Sequence, residues 1–399
     1  MIGRSLYFKN VTILNADGPA GSALRVRGGH IQAIDGVPGR KDCIIDGQGG
    51  LVIPGLINAH DHLELNTFKR LKYRDSYTHA LQWIEDIEAR FDSDPDIIEP
   101  RRQPLADRLF VSAVKNLLSG ATTVCQHNPF HRQLRRNYPI RVVKHYGFCH
   151  SLFRGERPDQ SFQKTNSADP WIIHLAEGIN ARAEAEFEQL NELGVLSDNT
   201  VLVHGVGLTA EQRRALAARG GGLVWCPGSN FFMFGQTAQV KELAQVHKLA
   251  LGSDSRLSGE VDLLAELKLA AQTQQLSPRQ LFRAVTTDAA RVLRIRHGGR
   301  GQIRVDREAD LVLLPRSSAP DPFSSILNLR RVQLELVMLG GKPLIGSVCM
   351  QPVFKATRTG FAAVTVDGIE KLMAMKLVDY LKQSSVQEAG VMIHQQGAT

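Results

Sequence analysis

The 399-residue chain is 43% hydrophobic and 22% charged, the balance of a soluble globular protein long enough for one large domain and a smaller companion. Its formal net charge is +8, but the arginines are scattered and no basic stripe is interleaved with aromatics, which excludes a nucleic-acid partner. The short arginine cluster from His131 to Tyr138 reads as a solvated helix face. No apolar run approaches the ~20 residues of a membrane span and the first residues lack a signal-peptide pattern, so the expectation is a cytoplasmic protein with no membrane partner.

Taken in chain order, residues 1–53 read as short strands. "SLYFKNVTILN", "SALRVRGGHIQAID" and "CIIDGQGGLVIP" carry β-branched alternation broken by Gly, Asn and Asp turns. From about Leu105 the pattern becomes apolar runs of a few residues alternating with helical stretches, the signature of βα units and a parallel sheet. The runs are "ATTVCQH", "IRVVKHYGFCH", "WIIHLAE", "TVLVHG", "GLVWCP" and "LALGSDS"; Thr209 opens the helix "TAEQRRALAARG" as an N-cap. Strands return in "GQIRVDREADLVLLP" and "LELVMLGGKPLIG", so the two ends read as halves of one small β-sandwich around an inserted βα region. Beyond it, "VDGIEKLMAMKLVDYLKQSS" places Ile369, Leu372, Met373, Leu377, Tyr380 and Leu381 on one face of a docking helix, followed by a frayed tail from Val386. The expected divisions are 1–53 and 300–352 for the sandwich, 54–299 for the βα domain and 353–399 for the helix and tail.

Chemistry-bearing residues sit at the ends of the apolar runs. In a strand, residues two apart share a face, so His60 and His62 of "PGLINAHDHLE" project together while Asp61 points away. "WIIHLAEG" ends in His174 with Glu177 three residues later, "TVLVHG" ends in His204 and "LALGSDS" carries Asp254. In a parallel βα barrel the C-terminal strand ends converge on one mouth, and these residue types in that order match a metal site. The five cysteines are widely spaced and contain no C-x-x-C, so neither a disulfide framework nor a cysteine metal site is indicated.

These segments, with "SGATTV", "CPGSNFFMFG", "TTDAARVL" and "GQIRVDREADLVLL", resemble the amidohydrolase superfamily, in particular its aminohydrolase branch of cytosine deaminase, guanine deaminase and triazine hydrolases. The resemblance implies a distorted (β/α)8 barrel with a β-sandwich from both chain ends, one zinc or iron per site, and a small heterocyclic substrate; homodimers are common among such barrels. Carried over motif by motif, the metal ligands would be His60, His62, His174 and Asp254, with Glu177, His204 and Asp254 catalytic. A divalent cation held by imidazoles and a carboxylate lowers the pKa of water toward ~7, yielding hydroxide. Asp254 would accept the water's proton, Glu177 would carry a proton to the ring nitrogen and then to ammonia, and His204 would hydrogen-bond the water or polarise the attacked group. The two-metal subtype needs a lysine at a strand tip, and Lys144 and Lys164 are poorly placed for that. The expected activity is deamination of a cyclic amidine or related heterocycle; loss of an amide or halide from such a ring, or a degenerate barrel serving as a binding scaffold, are the alternatives.

Two departures stand out. Only about twenty residues separate "HYGFCHSL" from "WIIHLAE", which implies an abbreviated βα unit between 150 and 171. "TTVCQHNPFH" places Gln126, His127 and His131 where relatives tend to carry an acidic residue, so His127 becomes a candidate to line the pocket. Glu64, Arg70 and Trp83, on the segment expected to cover the barrel mouth, and Ser229 and Asn230 of "CPGSNFFMFG" complete the candidate substrate contacts.

Overall fold

The computed structural model describes residues 3–298, 300–319 and 321–394. Both chain ends feed one mixed sheet of eleven strands. The strand Cys43–Pro54 joins the halves: it runs parallel to Leu6–Asn15 and antiparallel to Leu311–Leu314. Apolar alternation drives this pairing, for Phe8, Val52, Leu311, Leu313, Leu336 and Met338 all enter the main core. The C-terminal region departs from the expected docking helix. Residues Phe361–Val366 and Ile369–Ala374 form a hairpin, and only Met375–Gln383 is helical. Asp367 and Gly368 adopt φ of 46° and 82°, the two positive values of a tight hairpin turn, and this Asp-Gly signal overrides the helical spacing around it. The tail is not frayed as far as residue 394: Val391–Ile393 adds to the sheet edge. Residues 395–399 of the expected tail lie outside the described residues.

The inserted region is α/β with eight parallel strands in two sheets. Leu56–Asp61, Ala121–Gln126 and Arg141–Val142 form one; Gly147–Cys149, Trp171–Leu175, Thr200–His204, Gly222–Trp225 and Leu249–Leu251 form the other. The stretch "IRVVKHYGFCH", expected as one strand, is two. Lys144 and His145 are exposed and turn the chain out to solvent between them. The abbreviated connection therefore lies at residues 143–146, whereas the segment between 150 and 171 contains a helix, Pro158–Lys164. Among the described residues, strand pairing does not join the two sheets. One seam is nevertheless crossed by a hydrogen bond from the Asp254 N–H to the His60 carbonyl at 3.0 Å. Gly252 permits that approach, because a Cβ there would sit 2.6 Å from His60 Cβ and 2.9 Å from its backbone.

Helices cover the sheets with the expected local chemistry. Thr209 Oγ1 accepts from the Gln212 N–H while Gln212 Oε1 accepts from the Thr209 N–H, a complete capping box. Leu105–Leu118 buries every residue from Leu109 onward, Lys115 and Asn116 included. Over the strand tips, the segment after His62 passes through a loop into the helix Ala80–Glu88, capped by His79 Nδ1 accepting from the Leu81 N–H at 3.1 Å. Among the described residues no helix is long and apolar enough to cross a membrane.

Candidate metal centre

The parallel strands deliver their terminal side chains to one place. His60 Nε2 lies 3.3 Å from His174 Nε2 and 3.7 Å from Asp254 Oδ1, and His62 Nε2 lies 3.5 Å from the same Asp254 oxygen. Two donor triads result, His60 with His62 and Asp254, and His60 with His127 and His174; within each, the ligand atoms lie within 4.8 Å of one another. All five residues are buried. The His60, His127 and His174 pKa values fall well below the ordinary histidine value through burial and then through the neighbouring imidazoles, so these rings are neutral and keep their lone pairs.

Two of the rings are tied back to backbone carbonyls, His174 to that of His150 and His127 to that of Cys149. His174 Nδ1 donates to the His150 carbonyl at 2.9 Å, which leaves Nε2 as the free lone pair. Asp254 is fixed by the Ser258 hydroxyl, which donates to Oδ2 at 2.7 Å. Burial works to raise the Asp254 pKa, but His62, His204 and the Ser258 and Ser229 hydroxyls more than offset it, and the carboxyl stays ionised. Backbone strain helps to aim the set: Ala176, His204 and Asp254, all at strand ends, have φ of 52°, 72° and 49°.

Glu177 and His204 lie beside the donors as a pair, with His204 Nε2 3.4 Å from Glu177 Oε1. His204 Nδ1 faces Asn230 Oδ1 at 3.0 Å, and Asn230 Nδ2 donates to Thr237 Oγ1. A ring that donates through Nδ1 presents an accepting Nε2 to Glu177. Burial, reinforced by Asp254 and Glu186, pushes the Glu177 pKa well above the usual carboxyl range. A buried carboxyl that keeps its proton can donate it.

The weaker candidates divide. Ser229 and Asn230 belong to the helix Pro227–Phe234; the Ser229 hydroxyl is buried without a hydrogen-bond partner among the described residues and lies close enough to Asp254 to lower its pKa. Glu64 accepts from Gln126 Nε2 at 2.6 Å and from Asn128, and it faces His62. Arg70 is occupied elsewhere, donating to the Ser258 carbonyl and to Glu260, each at 3.0 Å. Trp83 donates to the Leu71 carbonyl at 2.8 Å and packs the covering segment among Leu71, Phe68 and Ile97. Arg70 and Trp83 therefore hold the cover together.

Other contributors escape a reading of motifs. His79 Nε2 donates to Glu186 Oε1 at 3.0 Å, and Glu186 Oε2 accepts from the Ala176 N–H at 2.7 Å, which fastens the covering segment to the Glu177 turn. The Ala80 N–H closes the same junction on the Glu177 carbonyl. Behind the donors, Lys115 Nζ donates to Asn66 at 2.7 Å and to Asp61 and Ser253 at 3.2 Å, all buried. The only outward signal for Ser258 is its place four residues after Asp254.

Comparison with known proteins shows what the chain is similar to. The chain is 24% identical over 375 residues to a 5-methylthioadenosine/S-adenosylhomocysteine deaminase of Archaeoglobus fulgidus, covering 77% of this chain and 84% of the relative. It is 29% identical over 381 residues to the 8-oxoguanine deaminase of Pseudomonas aeruginosa, covering 74% and 82%. Among solved structures, a zinc-bound adenosine deaminase from Xanthomonas campestris superposes with a TM-score of 0.67 at 20% identity, over 88% of this chain and 97% of that one, and shares its fold. Residues 168–344 match the model of the amidohydrolase family.

Proposed function

We propose that this protein is a metal-dependent aminohydrolase that removes ammonia from a small aminated heterocycle. One observation carries the reading: the imidazoles of His60, His62 and His174 and the carboxylate of Asp254 converge at strand tips beside a carboxyl, Glu177, whose pKa burial pushes well above the usual range. The donor set fits a divalent transition cation, because imidazole nitrogens and a carboxylate oxygen converge, His174 Nε2 presents its lone pair to the cluster, and His62 Nδ1 is buried without a partner among the described residues. Zinc is the favoured ion, on the donor types and on the zinc of the structural neighbour. The eight parallel strands would then form one (β/α)8 barrel over about 54–299, with the sheet from 1–53 and 300–352 as the companion sandwich. His60, His62, His174 and Asp254 would hold the cation.

A divalent cation in this position acidifies water to a pKa near ~7 and so supplies a nucleophile at neutral pH. Asp254, held by Ser258, would accept the proton of the attacking water. Glu177 donates its proton to the adjacent ring nitrogen, and His204 orients that carboxyl through Nε2 while Asn230 fixes the tautomer. The proton on Asp254 then passes to the departing amine. The cover from residue 66 to 88 excludes bulk water, which strengthens each of these contacts. The two deaminase relatives act on purine-ring compounds by name, which makes a purine-like amine the favoured substrate class. Ammonia release from purines, pyrimidines, pterins and triazines, assayed with metal-loaded and chelator-treated protein, tests the reading. Metal-dependent ammonia release supports it; metal-independent turnover of the same substrate contradicts it.

A further inference from the structure

His127 follows the strand Ala121–Gln126 and is 1% exposed. Its Nε2 faces the Cys149 carbonyl at 3.2 Å. A carbonyl can only accept, so Nε2 carries the hydrogen and Nδ1 carries the lone pair. That Nδ1 is buried with no hydrogen-bond partner among the described residues. Leaving a buried polar atom unpaired is unfavourable, so such an atom marks a place where a ligand binds. The ring stacks on His174 with centroids 4.0 Å apart and planes 16° apart, and it meets His60 edge-on at 4.9 Å. Its ligand atom lies within 4.8 Å of those of His60 and His174. A backbone carbonyl on one ring nitrogen and an open lone pair on the other is how metal-bound histidines are oriented, and His174 shows the same arrangement through His150.

We infer that His127 is a fourth imidazole ligand of the bound cation, entering from the His174 side through Nδ1. The inference rests on the metal reading above and changes its consequence. Four imidazoles and the Asp254 carboxylate would then offer five protein donors, one more than the four of the reading above and one more than a tetrahedral zinc site takes. The substrate-contact role expected for His127 gives way to a ligand role.

The test uses the full chain stripped of metal and titrated with Co2+, read by its d–d absorption and by chelator competition, in wild type, His127→Phe and His127→Gln. Phe keeps the stacked ring on His174 without a nitrogen; Gln keeps a donor for the Cys149 carbonyl and covers the case in which the Phe variant does not fold. Weak, high-coordination Co2+ bands in wild type that intensify in the variants, with affinity at least about 10-fold lower, are expected. Wild-type binding with spectra and affinity unchanged in a folded variant would overturn the His127 assignment while leaving the metal reading intact. Failure of wild type to take up Co2+ would remove both.

Discussion

The two faces of the strand Leu56–Asp61 carry similar residue types to opposite ends. Toward the strand tips, His60 and His62 meet His127, His174 and Asp254 with ring nitrogens left open. Behind them, Asp61 accepts from Asn66 at 2.8 Å, Asn116 at 2.9 Å and Lys115 at 3.2 Å, while Asn58 bonds to Asn116 and Ser253. Each charged group of the rear network is paired inside the protein; in the front cluster His62 Nδ1 and His127 Nδ1 are buried without a hydrogen-bond partner among the described residues. Buried polar groups that satisfy one another specify structure, whereas buried donors and acceptors that converge unpaired await a ligand.

Substitutions should separate the two faces. The largest effect is expected at the front: His60→Ala or Asp254→Asn should lose metal and reduce kcat/KM by about 10³-fold or more, with the urea midpoint nearly unchanged. Metal analysis beside an ammonia assay reads both. Glu177→Gln should keep its metal yet lose about 10²–10⁴ in kcat, since it removes only the proton carrier. At the rear the pattern should invert. Lys115→Met leaves Asp61 as an uncompensated buried charge and should cost about 3–5 kcal/mol in urea unfolding.

Smaller effects test the elements that connect the faces to the cover. Glu186→Gln weakens the acceptor of the His79 ring and the Ala176 N–H; about 1–3 kcal/mol is expected, visible as faster amide exchange near residues 78–80 and 176–179. The last effect is a pH slope. Burial pushes the Glu266 carboxyl up to about 8, against the pull of the Glu260 and Gly228 N–H groups that it accepts at 2.8 and 2.9 Å. The folded protein therefore holds a proton that the unfolded chain loses first. This contribution is full below the unfolded value of 4.5. It declines by up to about 1.4 kcal/mol per pH unit and is exhausted above the folded pKa. Urea midpoints from pH 5 to 8 should fall less steeply in Glu266→Gln than in wild type.

The front cluster was legible because its donors end apolar runs, and a strand's period of two places His60 and His62 on one face. His127 was visible as an oddity after "TTVCQ", but its ligand-like tautomer depends on the Cys149 carbonyl, twenty-two residues away. The rear network gave no signal: Lys115 and Asn116 sit on a helix where charge normally marks the solvent face, and only the packing shows them buried. The strand division at Lys144 and His145 was hidden because two short strands and their link read as one apolar run. The hairpin at Asp367 and Gly368 was available in the sequence, but helical spacing on both sides obscured it. Positive φ at Ala176, His204 and Asp254 had no sequence signal, since none of the three is glycine.

Metal stoichiometry by elemental analysis tests the shared claim behind the front cluster most directly. One transition-metal ion per chain after reconstitution, abolished by His60→Ala and retained in Glu177→Gln, is expected. A wild-type protein that folds but takes up no ion from zinc, iron or cobalt would contradict it.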